Sequence, residues 1–191
     1  GLAGGLAGGT HHAFFGEGSG FCIFNDVYVA AVMLRREGLV SRVCVIDLDV
    51  HQGDGTALMA SGDPLTFTFS AHGAANFPFR KQKSLLDVEF ADGTGDDEYL
   101  SRVSVALEQA LDFGPDLVFY QAGVDPLFSD ALGRLALTFD GLAERDRMVF
   151  SACRRRGVPA TRHMSEVIGY HQRRNAEAAR CHKKRRHTCI I

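Results

Sequence analysis

The sequence predicts an α/β fold built on a mainly parallel β-sheet flanked by helices. Three observations lead there. Short apolar runs rich in β-branched residues, at 43–49, 65–69 and 116–121, alternate with longer stretches whose apolar residues recur at helical spacing. The run at 43–49 is apolar at nearly every position until its end, as a strand covered on both faces requires. Carboxylates and a histidine gather at the carboxyl ends of these runs, where open α/β sheets place their ligands.

Each element follows from local chemistry. Residues 1–9 are rich in Gly, Ala and Leu and are expected to be flexible, leading into His11-His12 and a second glycine-rich loop at 16–20. Asn25-Asp26 offers a helix cap, and residues 27–37 carry a helical apolar period that Gly38 stops. The strand at 43–49 comes next, closed by a turn at Gly53-Asp54-Gly55. A second strand is expected at 65–69, then a polar loop at 70–83 bearing Phe77-Pro78-Phe79, then a third strand at 85–90. Asp96-Asp97-Glu98 suits the positive end of a helix dipole and opens a helix running to about Leu111, which Gly114-Pro115 breaks. A strand at 116–121 ends in a loop with another carboxylate, Asp125, and Thr138 caps a helix running to Arg155. Gly157-Val158-Pro159 leads towards a further strand, but residues 161–191 have no sustained apolar period, so that strand is not expected to form.

The 191 residues suffice for one domain with a sizeable core. No run of about eighteen apolar residues exists, so no membrane-spanning helix is predicted. The chain begins with Gly1 and shows no signal-peptide pattern, which leads us to expect a fragment. Its five cysteines form no CxxC pair, and Cys22 and Cys44 sit in apolar runs. That predicts reduced, buried thiols and an intracellular location, in nucleus or cytoplasm. The net charge of -2 conceals a split: residues 151–191 hold 2 acidic and 11 basic residues, the rest 21 acidic and 10 basic. Lys183-Lys184-Arg185-Arg186 reads as solvated charge, so direct nucleic-acid binding is not expected. Cys189, third from the end, does not fit a prenylation signal.

The chemistry concentrates in Asp47-Leu48-Asp49-Val50-His51-Gln52-Gly53-Asp54-Gly55. Asp47, Asp49 and His51 share one parity, so an extended backbone would aim all three to one side. Two carboxylates and an imidazole suit a divalent ion such as zinc, and three protein ligands leave a catalytic position open. A neutral imidazole accepts a proton near pH 7, and a carboxylate behind it fixes the tautomer. His11-His12 supplies the imidazoles, with Asp47 and Asp54 as spare acids to support them. Phe21 and Phe77, each beside Gly or Pro in a loop, are candidates to grip an aliphatic chain.

Gly8-Gly9-Thr10-His11-His12-Ala13-Phe14, Gly18-Ser19-Gly20-Phe21-Cys22-Ile23-Phe24-Asn25-Asp26, the Asp47–Gly55 run (47–55) and Gln121-Ala122-Gly123-Val124-Asp125-Pro126-Leu127 resemble the zinc-dependent histone deacetylase family, in wording closest to its class IV branch. The resemblance covers residues 1–160, part of a catalytic domain, and implies an arginase/deacetylase fold with an eight-stranded parallel sheet, incomplete here at both ends. It implies zinc held by Asp49, His51 and Asp125, and an acid–base pair of His11 with Asp47 and His12 with Asp54. Gly20, Phe21 and Phe77 would line an acyl-lysine channel. A potassium ion would use Asp47, Ser70 and the backbone oxygens of Asp49 and His51. Gln52 stands where many members carry a second histidine.

The implied activity is hydrolysis of N-acetyl-lysine or a longer acyl-lysine on histones or other proteins. A pseudo-deacetylase that binds acyl-lysine or metal without turnover is one alternative. An acetylpolyamine or other small-amide hydrolase is a second. An arginase-like dimanganese enzyme would need more ligands than this constellation supplies. The family's Gly-Gly-Tyr loop, whose tyrosine steadies the oxyanion, is absent, and Tyr170 is the candidate substitute. The lost period and charge break after Ala160 suggest a reading-frame shift, making 161–191 a basic tail outside the fold.

Overall fold

A computed structural model describes residues 1–5 and 9–163. Six parallel strands form one sheet: β1 (Leu2–Gly5), β2 (Val43–Asp47), β3 (Thr66–Gly73), β4 (Leu86–Phe90), β5 (Leu117–Gln121) and β6 (Ala160–His163), in the spatial order β1-β6-β5-β2-β3-β4. Four helices accompany them: α1 (Asp26–Arg36), α2 (Asp54–Met59), α3 (Asp96–Asp112) and α4 (Phe139–Arg155). None is long and apolar enough to cross a membrane.

Strand β2 shows why the sheet is covered on both faces. Side chains alternate across a strand, so Cys44 and Ile46 join the core beneath α3 and α4, with Tyr99, Val103, Leu142 and Val149. Val43 and Val45 turn the other way, onto Val27 and Ala31 of α1. β5 repeats the pattern with Val118 and Tyr120 on one side and Leu117 and Phe119 on the other. A fully buried side chain such as Ile46 or Leu142 contributes about 1.5–3 kcal/mol relative to exposure.

The order of strands positions the site. From β2 the chain moves outward to β3 and β4, then returns to lay β5 on the opposite side of β2. The carboxyl ends of β2 and β5 therefore lie side by side at a topological switch point, with Asp47 in register with Gln121. The loops bearing Asp49, His51 and Asp125 leave from those two ends.

Two helix caps agree with expectation: the Asn25 side chain accepts from the Tyr28 amide, and Thr138 Oγ1 accepts from Gly141 N. Five expectations are corrected. Residues 2–5 form β1, because backbone pairing with β6 orders a segment whose own side chains are exposed. β3 runs on to Gly73, since β4 pairs with it over Phe69 to Gly73 and continues the ladder through the expected polar loop. Gly53-Asp54-Gly55 is the start of α2 rather than a simple turn, with Thr56 N donating to the His11 carbonyl. β6 does form, held between β1 and β5, and carries the sheet past Ala160. Of the thiols, Cys44 and Cys153 are buried but Cys22 is only partly so. Residues 164–191, with Tyr170 and most of the expected tail, lie outside the described residues.

Candidate active site

β2 ends at Asp47, so Asp49 and His51 converge through a bend rather than through strand parity. The Asp49 carboxylate accepts the amide of His51 at 2.9 Å, a local hydrogen bond that curls the chain and brings both side chains together. From the adjacent strand end, Asp125 Oδ1 accepts the Val50 amide at 3.0 Å and fastens the second loop to the first. His51 Nδ1 then lies 3.1 Å from Asp49 Oδ1 and 2.9 Å from Asp125 Oδ2. One donor atom from each of Asp49, His51 and Asp125 falls within 4.8 Å of the others.

Two features of this cluster fit a divalent cation. Burial opposes charge on His51, yet Asp125 and Asp49 outweigh it and raise its pKa to about 11. Burial and the neighbouring Asp49 raise Asp125 to about 7. Two buried carboxylates this close require a positive charge between them, which a metal would supply. In addition, a Cβ at Gly123 would stand 2.3 Å from Asp49 Oδ2, so only glycine lets the β5 loop approach.

Beside the cluster, His11 Nδ1 meets Asp47 Oδ2 at 2.6 Å and His12 Nδ1 meets Asp54 Oδ1 at 2.6 Å, all four side chains being buried. Burial would lower the pKa of His11, but Asp47 reverses this and lifts it to about 9. His12 moves the other way, lowered first by burial and then by the charge on His11. Divergent pKa values in one site separate the roles of its members.

The loop that presents the histidines is held from below. Asp26 accepts from the amides of Gly9 and Thr10, both at 2.9 Å, and from the Thr10 hydroxyl at 2.8 Å. Asn25 donates to Thr56 Oγ1 at 2.9 Å and towards the carbonyls of Ala13 and His11. Both residues therefore do more than cap α1, a role their position as a cap did not disclose.

The residues expected to line an acyl-lysine channel are only partly gathered. Phe77 packs edge-on against His12, ring centroids 5.0 Å apart. Gly20 adopts a φ of +51° and a Cβ there would touch the His12 ring, so this loop also requires glycine. Phe21 follows with a positive φ and its side chain is 80% exposed, standing at the margin rather than against the metal cluster. Ser70 is the register partner of Asp47, and its hydroxyl lies 2.9 Å from His72 Nδ1. Gln52 is buried; its amide donates to the Gln82 carbonyl and to Asp87, while its oxygen accepts from Gln82 N.

Sequence reasoning passed over Arg145. This fully buried arginine of α4 reaches the Leu48 and Gly123 carbonyls. A signal existed, for Arg145 falls on the same helical stripe as Leu142, Val149 and Ala152.

A trio of acidic and imidazole donors that could hold a metal ion thus stands beside two carboxylate-backed histidines at the switch point of a parallel sheet. Residues 2–184 match the histone deacetylase domain family, and the chain belongs to it. It is 52% identical over 160 residues to an uncharacterized protein of Picosynechococcus sp., covering 83% of this chain and 53% of that one. Histone deacetylase 2 of Arabidopsis thaliana is 37% identical over 158 residues, covering 81% and 41%. The chain thus spans about half the length or less of these relatives. Among solved structures, acetylpolyamine aminohydrolase from Burkholderia pseudomallei superposes with a TM-score of 0.75 at 24% identity, over 89% of this chain and 51% of that one. The fold is thereby the arginase/deacetylase fold, with six strands among the described residues where the resemblance implied eight.

Proposed function

We propose that this chain carries the centre of a zinc-dependent deacylase acting on N-acetyl-lysine or longer acyl-lysine in proteins, histone tails included. The observation that carries the reading is the convergence of Asp49, His51 and Asp125 within 4.8 Å, beside a histidine pair whose pKa values diverge. Those three residues would hold the zinc, which when bound polarises an amide carbonyl and acidifies water. Potassium beside Asp47 and Ser70 is part of the same reading.

The protein's own groups account for the proton transfers. Asp54 accepts from Nδ1 of His12 and so leaves Nε2 as the acceptor. Neutral His12, its pKa lowered, removes a proton from the attacking water and returns it to the departing lysine nitrogen. His11, kept cationic by Asp47, stabilises the negative charge that develops on the substrate oxygen. Gly20, Phe21 and Phe77 would enclose the acyl-lysine stem. Family membership and the Arabidopsis relative support the protein-lysine substrate, and the class IV-like reading rests on the wording of residues 8–14 and 18–26.

The test is a panel assay on the zinc-loaded chain, with an acetyl-lysine peptide and an acetylated polyamine side by side. Release of acetate from the peptide, leaving a free lysine amine, is the expected result. Preference for the polyamine would assign the small-amide alternative, and zinc binding without turnover of either would assign the pseudo-deacetylase.

A further inference from the structure

We infer that Arg145 is a positioning residue for the metal centre, its guanidinium tying together the two loops that carry the three ligands. The inference rests on the reading of Asp49, His51 and Asp125 as those ligands. Arg145 Nη1 donates to the Leu48 carbonyl at 3.1 Å and to the Gly123 carbonyl at 2.7 Å. Leu48 immediately precedes Asp49, and Gly123 stands two residues before Asp125. β2 and β5 end at Asp47 and Gln121, so both carbonyls lie beyond the regular strands. One nitrogen bridging them fixes the separation of the ligand loops and satisfies two buried acceptors at once.

The rest of the guanidinium is held equally firmly. Its Nε and Nη2 donate to Asp146 Oδ1 at 3.1 and 2.9 Å, the Tyr120 hydroxyl donates to the same oxygen at 2.6 Å, and Arg162 Nη2 lies 2.8 Å from Asp146 Oδ2. Burying these charges costs free energy that an apolar side chain on this stripe would avoid. What the arginine supplies and a leucine would not is a rigid pair of donors at the edge of the site. A planar fork already locked on Asp146 cannot swing, so the loops it holds inherit its position.

The experiment measures zinc affinity, by competition with a chromogenic chelator, for the 191-residue chain and two variants whose folding is checked by circular dichroism. Arg145→Lys keeps the charge but loses the fork. Tyr120→Phe removes a hydrogen bond from the same buried network without touching the Leu48 or Gly123 carbonyls. The expected result is zinc affinity about 10–100-fold weaker for Arg145→Lys and within about twofold of the parent for Tyr120→Phe, even where the latter melts lower. Parental affinity in folded Arg145→Lys overturns the proposal, as does an equal loss in Tyr120→Phe. If Arg145→Lys does not fold, Arg145→Met, which leaves Asp146 paired with Arg162, takes its place with the same expected weakening. Failure of that variant as well assigns Arg145 to the fold alone and overturns the proposal. A parent chain that takes up no zinc removes the ligand reading itself, which distinguishes that failure from a failure of Arg145.

Discussion

The rings of His11 and His12 sit 4.1 Å apart, yet each imidazole gives its Nδ1 to a different carboxylate and the two shift in opposite directions. Asp47 reaches His11 from β2, and Asp54 reaches His12 from the first turn of α2. Adjacent residues thus acquire opposite shifts because separate elements support them.

Replacement of His12 by alanine removes the neutral base and should lower kcat by about 10²–10⁴. His11→Ala removes a fixed positive charge rather than the proton acceptor, and should cost less, about 10² in kcat. Steady-state kinetics on an acetyl-lysine peptide checks the order. Equal activity of His12→Ala and parent would remove His12 from the mechanism.

Asp26→Asn should loosen the histidine loop and lower the melting temperature near neutral pH. Burial raises the Asp26 pKa, but the Thr10 hydroxyl and the Thr10 and Gly9 amides outweigh it and hold the group below its usual 3.8. A depressed carboxylate contributes stability above its unfolded pKa and loses it as pH falls through the folded value. The gap in melting temperature between parent and variant should therefore be full at pH 6 and shrink below pH 3.8. A gap independent of pH would contradict this.

Lys81 organises the loop that carries Phe77. Its ammonium donates to the carbonyls of Pro78 at 2.6 Å, Asn76 at 2.7 Å and Ala74 at 3.2 Å. Lys81→Met leaves those acceptors without their cation and should raise KM several-fold, about 1 kcal/mol of substrate binding, with kcat little changed. A fall in kcat at constant KM would place the effect on the chemistry instead.

Gly123→Ala drives a Cβ towards Asp49 Oδ2 and Asp125 Oδ1. Zinc affinity should drop by about 10–100-fold while the circular dichroism spectrum is kept. Retained affinity would show that the β5 loop does not need its close approach.

Much of this site was legible because its chemistry is local in sequence. Asp49, His51 and Asp125 announce themselves as polar residues at the ends of apolar runs, and a parallel sheet brings such ends to one edge. Strand parity does not by itself bring Asp49 and His51 together, since β2 stops at Asp47 and a bend completes the convergence. β1 was illegible because Leu-Ala-Gly-Gly carries no strand period; its order comes from pairing with β6, a non-local cause. β6 was missed because Ala-Thr-Arg-His looks polar, while Arg162 is buried on Asp146. α2 is six residues opening on Asp54 after a turn-like Gly53, below the length at which helical periodicity shows. Arg145 lies on the buried stripe of its helix, but only its partners in space show which carbonyls it holds.

Equilibrium dialysis against zinc, comparing the parent chain with Asp125→Ala, tests the account most directly. One zinc per parent chain is expected, with binding at least about 100-fold weaker in the folded variant. Equal uptake by the two proteins, or none by the parent, would contradict it.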